Sequence, residues 1–295
     1  MSTIVEIKDD FDLEKIRISG QCFRVKRIRD DLFRLIAGDK VLFVKALGNG
    51  RFEVSCDLDE WESFWMPYFD LTRDYSSIRE RSVGKNGFID NSMSYGEGLR
   101  ILAQDPWEML ITFIISQRKN MPAIASAVEQ ISDRFGDAID VSADSSLQEF
   151  VNEHGCAEDS EGLHAFPTPQ QLASASESDL RECSLGYRAP YISDTAKQVV
   201  SGEIDLQELA NLSDQELFEQ LQRAHGVGAK VANCVCLFGY GRTSQVPIDV
   251  WIARAIDEEC EGEDPFQQYG EDAGIMQQYV FFFMTDSNRK KHGKK

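Results

Sequence analysis

Lys230 and Asp249 are the residues of this chain best placed to do chemistry together. Lys230 opens a helix directly after the turn Gly226-Val227-Gly228, which follows a helix expected to end at His225. Two glycines separated by one residue allow a tight turn whose N–H groups can approach another backbone closely. Those N–H groups lie at a helix N-terminus, where the dipole favours an anion. This is the layout of a helix-hairpin-helix element, which holds a nucleic-acid phosphate without reading sequence. A compact turn between two helices is the plainer alternative. Asp249 follows the extended stretch Val246-Pro247-Ile248 and is expected at the N-cap of the next helix. Taken singly, Lys230 is one more phosphate contact and Asp249 a structural cap. Taken together they suit something sharper. A lysine between apolar helices can lose its proton by desolvation and become a nucleophile. A capping carboxylate nearby can stabilise positive charge on a sugar and relay protons. Lysine, carboxylate and phosphate hairpin together suit attack on C1′ of a deoxynucleotide.

Other elements must hold these parts in place. Residues 1 to about 58 alternate like strands, with Val5 and Ile7, Phe23 and Val25, and dense runs through Leu32–Ile36 and Val41–Val44. Ala37-Gly38-Asp39-Lys40 and Gly48-Asn49-Gly50-Arg51 supply the positive-φ residues of hairpin turns. An antiparallel, half-buried sheet is expected, with a helix carrying Trp61, Phe64, Trp65 and Phe69 closing over it. From Gly96 onward the pattern is helical. Asp105-Pro106 opens a helix with Pro at its first position and a buried stripe of Met109, Leu110, Phe113 and Ile114. Pro122 starts another that runs to about Phe135, and Ser213 with Glu216 forms a capping box. Further helices fit 193–201, 229–239, 249–258 and 271–284. The fold class is therefore α+β: an N-terminal β-rich domain over 1–95, an all-α domain over 96–285, and a basic tail over 286–295.

Composition limits the function classes. The 295 residues carry a formal charge of −19, which argues against non-specific affinity for nucleic acid. Seven cysteines without a C-x-x-C pair weigh against a disulfide framework, a zinc ribbon or a four-cysteine cluster. No apolar run is long enough to span a bilayer, and MSTIVEIKDD lacks a signal pattern, so a cytosolic protein with no membrane partner is expected. Between Asp137 and Gly162 there are eight Asp or Glu and no Lys or Arg. Such a block reads as a solvated, partly mobile excursion. It carries much of the net charge, which leaves room for a basic face elsewhere.

The chain resembles the 8-oxoguanine DNA glycosylase/AP lyase branch of the helix-hairpin-helix glycosylases, over nearly its whole length apart from the acidic insert and the tail. Gly226-Val227-Gly228 with Lys230 matches the hairpin and its Schiff-base lysine, and Val246-Pro247-Ile248-Asp249 the segment bearing the catalytic aspartate. Gly20-Gln21-Cys22-Phe23-Arg24 resembles the motif whose glycine carbonyl accepts the N7–H that 8-oxoguanine has and guanine lacks. Cys234 corresponds to the cysteine on one face of the flipped base. Ala273-Gly274-Ile275-Met276-Gln277 with Phe281 resembles the C-terminal helix, where glutamine reads the Watson–Crick edge and phenylalanine stacks. Gln104-Asp105-Pro106 and Leu185-Gly186-Tyr187-Arg188 match the lesion-side helix and the wedge loop. The N-terminal sheet corresponds to the family's TATA-binding-protein-like domain.

Two departures stand out from the eukaryotic pattern and resemble bacterial relatives. Ser116-Gln117-Arg118-Lys119-Asn120 replaces the asparagine run that fills the gap in the duplex, with Ala123 where an arginine reads the orphan cytosine. Trp251 stands where a histidine contacts the 5′-phosphate. Arg118, Lys119, Arg188, Lys230 and Arg242 are expected around one DNA-facing cleft, and Arg289–Lys295 could add a cationic arm. The resemblance implies a monomeric, bifunctional glycosylase/AP lyase that takes damaged double-stranded DNA, without an organic cofactor. A monovalent ion at the hairpin carbonyls is an open option. An alkyl-purine glycosylase of the same fold that uses water, and a non-catalytic DNA-binding module, are the alternatives.

Overall fold

The computed structural model describes residues 2–292, with side chains through Ser287. Five strands, β1 (Thr3–Glu6), β2 (Val25–Arg29), β3 (Leu32–Ala37), β4 (Lys40–Gly48) and β5 (Arg51–Val54), form an antiparallel sheet in the order β1-β5-β4-β3-β2. Gly48 pairs with Arg51, leaving Asn49-Gly50 as a two-residue loop with φ of 53° and 71°. Such positive-φ pairs match the twist of the flanking strands, which is why a glycine is needed there. Phe23 falls in the loop before β2 rather than in a strand, and its ring is used elsewhere.

One face of the sheet carries Leu35, Leu42, Val44 and Val54 into the main core against Trp61, Trp65 and Phe69. The expected helix over the sheet is present, interrupted by a π-helical turn at Trp61–Trp65. The other face is also buried, which corrects the half-buried expectation. Leu32, Ile36, Val41 and Phe43 pack against Val141, Leu147, Phe150 and Val151. The segment expected to be a solvated excursion is therefore a docked cover. Its helix, Ser145–His154, presents Leu147, Phe150 and Val151 at the i, i+3, i+4 spacing of one helical face. Burying each such side chain is worth roughly 1.5–3 kcal/mol. The strands supply cations to its polar groups: Arg29 donates to His154 O at 2.8 Å, Arg34 to Asp159 O at 2.9 Å, and Lys26 to the Asp159 carboxylate at 2.6 Å. His154 lies between Lys45 Nζ at Nδ1 (3.4 Å) and Glu53 at Nε2 (3.2 Å). Like charges thus face outward or meet cations, while the apolar stripe anchors the segment.

The helical body is built around Pro106–Ser116, capped by Asp105, whose carboxylate accepts Glu108 N–H at 2.8 Å. It packs on Ala229–Tyr240, with the Phe113 and Phe238 rings stacked 5.5 Å apart. Met121–Phe135, Ala189–Val200, Asp214–Leu221 and Val250–Glu259 complete the expected helices with shifted ends. The Ser213–Glu216 capping box is present. The last helix runs Ala273–His292, past the expected 284, because no helix breaker follows residue 284. Side chains of the basic tail lie outside the described residues. No described helix is long and apolar enough to cross a membrane, and the cysteines are all free.

A polar frame supports the loop at Gly20. Fully buried Arg100 donates to the carbonyls of Asp10, Phe69, Asp70 and Arg73 and pairs with Asp9 at 3.1 Å. Gln21 donates to Arg100 O and accepts from Leu102 N–H, both at 2.8 Å, while Gln104 donates to Gln21 O at 2.8 Å. Gln278, on the last helix, donates to Ser19 O at 2.9 Å. Residues on both sides of Gly20 are thereby clamped. Behind this loop Glu108 is buried, and desolvation pushes its carboxyl up to about 7 despite Arg24 nearby.

Candidate active site

A cavity of about 830 Å³ opens between the Gly20 loop, the hairpin, the helix that follows Asp249, and the last helix. Lys230 and Asp249 both line it. Lys230 sits in the first turn of Ala229–Tyr240, its Nζ 3.5 Å from Ser116 Oγ and 5.0 Å above the Phe113 ring. The Ser116 hydroxyl donates to Phe113 O at 2.8 Å, so its lone pairs are turned to the lysine. Asp249 is the N-cap of Val250–Glu259, as expected. Its Oδ1 accepts both Trp251 N–H (3.0 Å) and Ile252 N–H (2.9 Å), which leaves Oδ2 for the cavity. Burial raises the Asp249 carboxyl; the capping N–H of Ile252, Lys230 and the N–H of Trp251 oppose that rise. Cap and candidate catalytic group are therefore one residue.

The expected base-reading residues meet at the same cavity: Gly20, Cys234, Gln277 and Phe281. Gly20 has φ of +78°, and a Cβ there would lie 3.0 Å from Phe281 Cε1. Only glycine allows both that backbone conformation and that approach. Cys234 is one turn beyond Lys230, and burial pushes its thiol up while Lys230 pulls the other way. Gln277 is buried, yet its Oε1 has no hydrogen-bond partner among the described residues. An unpaired buried acceptor costs free energy until something donates to it, so a donor entering the cavity would satisfy Gln277.

Arg118, Lys119, Asn120 and Trp251 also line the cavity. Arg118 has φ of 54°, in the left-handed region where a non-glycine residue is held against its preference. Lys119 donates to Ser184 O at 2.9 Å, and burial beside Arg188 lowers its ammonium. The Asn120 side chain caps Met121–Phe135 by accepting Ala123 N–H at 2.9 Å. Tyr187 and Arg188 are not in the cavity wall but beside it. Tyr187 is 44% exposed, whereas Arg188 is buried, stacks on Tyr187 at 4.3 Å and donates to Gln117 O.

The hairpin helix ends at Leu221, not at His225, and Gln222 to Gly226 continue as turns. Gly226 has φ of +83°, and a Cβ there would meet the Tyr191 ring at 2.4 Å. Val227 is buried, and Gly228 is the N-cap of Ala229–Tyr240. Several hairpin carbonyls already accept protein donors: Ala224 from Val227 N–H and Gly226 from Gln117 Nε2, both at 3.1 Å. Each keeps a second lone pair. Arg242 does not reach the cleft. It follows the far end of the helix that Lys230 opens and donates to Ala210 O and Leu212 O. Phe23, Ser116 and Gln117 line the cavity too, although their motifs gave them no role of their own. Their proximity to Gly20 and Arg118 in the chain was the available signal.

Residues 3–110 match the family described as 8-oxoguanine DNA glycosylase, N-terminal domain, and residues 111–261 the HhH-GPD superfamily of base excision DNA repair proteins. The N-glycosylase/DNA lyase of Saccharomyces cerevisiae is 36% identical over 66% of this chain, a match spanning 50% of the yeast protein. The solved 8-oxoguanine glycosylase/lyase of Clostridium acetobutylicum, bound to DNA with cytosine opposite the lesion, is 31% identical. It covers 97% of this chain and 96% of its own, with a TM-score of 0.86. A 3-methyladenine DNA glycosylase of Archaeoglobus fulgidus shares the fold alone, at 18% identity and a TM-score of 0.69, covering 96% of this chain and 98% of its own. With a polar-framed glycine, a hairpin lysine and a capping aspartate on one cavity, this chain belongs to the 8-oxoguanine DNA glycosylase family of the HhH-GPD superfamily.

Proposed function

We propose that this protein is a bifunctional DNA glycosylase/AP lyase that removes 8-oxoguanine from duplex DNA. One observation carries the reading: Lys230 and Asp249 line a single cavity directly behind a phosphate-type hairpin. The target nucleotide is flipped into the cavity, since C1′ is unreachable inside the stack. The Lys230 nitrogen attacks C1′ through its lone pair, and the bond to the base breaks with its electron pair leaving on the base. The proton shed by the nitrogen passes to the departing base. Asp249 stabilises the positive charge that develops on the sugar. The sugar opens to an imine on Lys230 as the ring oxygen takes up a proton. Transfer of a C2′ proton to a base in the cavity, the Asp249 carboxylate or the released base, then expels the 3′ phosphate by β-elimination. The residues supply nucleophile, charge and proton acceptor, so no organic cofactor is called for.

In the lesion, N7 becomes a donor and C8 gains an oxygen. The Gly20 carbonyl can accept from that donor, while guanine would present a lone pair to it. A mismatch of that kind costs on the order of 1–3 kcal/mol when buried, or roughly tenfold to a hundredfold in rate. Gln277 Oε1 supplies an acceptor for the other edge, and Cys234 and Phe281 flank the ring. On the complementary strand, Ala123 offers no side-chain donor and Arg188 is engaged with Gln117 O. Preference for 8-oxoguanine over guanine is therefore strong, and discrimination among the four opposite bases weak. Single-turnover rates on the four duplexes check this; a cytosine preference above about a hundredfold, ~2.7 kcal/mol, contradicts it.

On this reading the protein is a monomer that acts on damaged double-stranded DNA in the cytosol. Borohydride trapping on an 8-oxoguanine duplex tests the whole proposal. A covalent protein–DNA adduct requires the lysine imine, whereas a monofunctional enzyme for alkylated purines releases base without one. Binding with neither adduct nor base release would leave a non-catalytic DNA-binding module.

A further inference from the structure

Two chain segments distant in sequence, the hairpin and the wedge, converge on Gln117 at the end of its own helix. Its side-chain Nε2 donates to Gly226 O at 3.1 Å, in the hairpin, and to Ile114 O at 3.2 Å, at the end of its own helix. Its backbone carbonyl accepts from Arg188 Nη2 and from Tyr187 Oη at 3.5 Å, in the wedge segment. The next residue, Arg118, is held at φ of 54°, and Lys119 donates to Ser184 O at 2.9 Å, itself at φ of 61°. The loop that carries Arg118 is thus bolted on one side to the hairpin and on the other to the wedge.

We infer that Gln117 is a positioning residue that couples the hairpin's hold on the DNA backbone to insertion of Arg118 into the space the flipped base leaves. This rests on the proposed base-flipping function. The physical reason is a fixed distance. If hairpin and loop move as one body, seating a phosphate on the Gly226–Gly228 turn brings Arg118 to a set point along the duplex. Backbone binding energy then goes into extruding the nucleotide rather than only into affinity. If the two move independently, the duplex can sit on the hairpin with its stack intact. The strained φ of Arg118 has the same meaning: the loop is already in its inserting shape, and the Gln117 bonds keep it there.

The test uses the full chain and separates extrusion from binding and from chemistry. Gln117→Ala removes both side-chain bonds, while Gln117→Glu places a carboxylate oxygen against the Gly226 carbonyl. Both are measured against wild type on two duplexes, one with 8-oxoguanine paired to cytosine and one with 8-oxoguanine opposite an abasic analogue, where extrusion costs little. On the paired duplex, single-turnover excision by Gln117→Ala falls roughly tenfold to thirtyfold, the effect of losing two ordinary hydrogen bonds, and Gln117→Glu falls further. On the unpaired duplex Gln117→Ala stays within about threefold of wild type, and so does its binding to either duplex, since the hairpin N–H groups remain. Fluorescence of 2-aminopurine placed beside the lesion reports extrusion without any chemistry and drops in parallel. An equal loss on both duplexes, or no loss on the paired one, overturns the inference. A wild-type protein that extrudes the base but never releases it would sink the enzymatic reading and leave this one standing.

Discussion

The sheet and the cleft treat positive charge differently. Beside the sheet several cations meet carboxylates: Lys26 pairs with Asp159 at 2.6 Å, Arg24, just before β2, with Glu129 at 3.0 Å, and Lys40 with Glu60 at 2.9 Å, while Arg29 and Arg34 donate to carbonyls of the acidic segment. Around the cleft, Arg118, Lys119, Arg188 and Lys230 have no ion pair within 4 Å among the described residues. Lys119 and Arg188 donate to carbonyls, and Lys230 Nζ lies 3.5 Å from a hydroxyl. The net charge of −19 therefore misleads about the surface that matters. Carboxylates of the acidic segment are partly spent on the strands behind it, and uncompensated cations are kept for the cavity mouth. A chain can be acidic in total and still present a basic site.

This contrast can be broken most sharply at the cavity. Lys230→Gln is expected to abolish borohydride trapping and strand nicking while binding to lesion DNA persists. Asp249→Asn keeps an oxygen for the cap, because asparagine caps about as well as aspartate. Its turnover should fall by roughly two to four orders of magnitude, with a melting temperature near wild type. Undiminished lyase activity in the first variant, or a large loss of stability with near-normal turnover in the second, would defeat these assignments. Because burial raises the Asp249 carboxyl and the ionised form is needed, activity should be lost as pH falls through a value above the ordinary 3.8.

The sheet side gives the reverse signature. Phe150 is fully buried, 6.1 Å from the Phe43 ring and 4.3 Å from that of His154. Phe150→Ala should cost roughly 3–5 kcal/mol of stability, read by denaturant unfolding, and leave the single-turnover rate of the folded fraction unchanged. Glu108 sharpens the picture through pH. Its folded carboxyl stands at about 7 against an ordinary 4.5, so its contribution is fully present below 4.5 and is lost as pH rises to about 7. The loss is on the order of 3 kcal/mol. Glu108→Gln should match wild type near pH 4.5 and exceed it in stability at pH 8; parallel pH profiles for the two proteins would refute this.

The smallest expected effect is the most direct probe of the opening contrast. Lys119→Ala should lower the slope of log affinity against log salt by about 0.9 if that ammonium meets one phosphate. Lys26→Ala, whose partner is Asp159, should leave the slope alone. Equal changes for the two lysines would mean that charge is not partitioned as described.

The cavity's central polar residues were legible in the chain because they announce themselves locally. Asp249 follows an extended Val-Pro-Ile, Lys230 follows a Gly-Val-Gly turn, and Gly20 sits in a short motif beside Gln21. What escaped was set by distance or by masking. The bond from Gln117 to Gly226 spans 109 positions, and nothing near Gln117 signals it. The apolar stripe Leu147, Phe150, Val151 was present, but eight neighbouring acids made the segment look like solvent-facing chain. Arg242 was placed by its neighbours in sequence, although a helix carries it to the far end from Lys230. Where helix ends missed, as at Leu221, the cause was a run of turns whose residues favour helix nearly as well.

Asp249 meets the helix with one oxygen and the cavity with the other. Under the proposed mechanism, a carboxylate held by two amide hydrogens cannot swing as charge builds on a sugar, so its field is set before the substrate arrives. The reorganisation that water would need around a new cation is thereby avoided. The same two bonds make that field a property of the helix itself. Unwinding a single turn at Val250 would release the carboxylate to rotate, and the cavity would lose its charge alignment without losing a single residue.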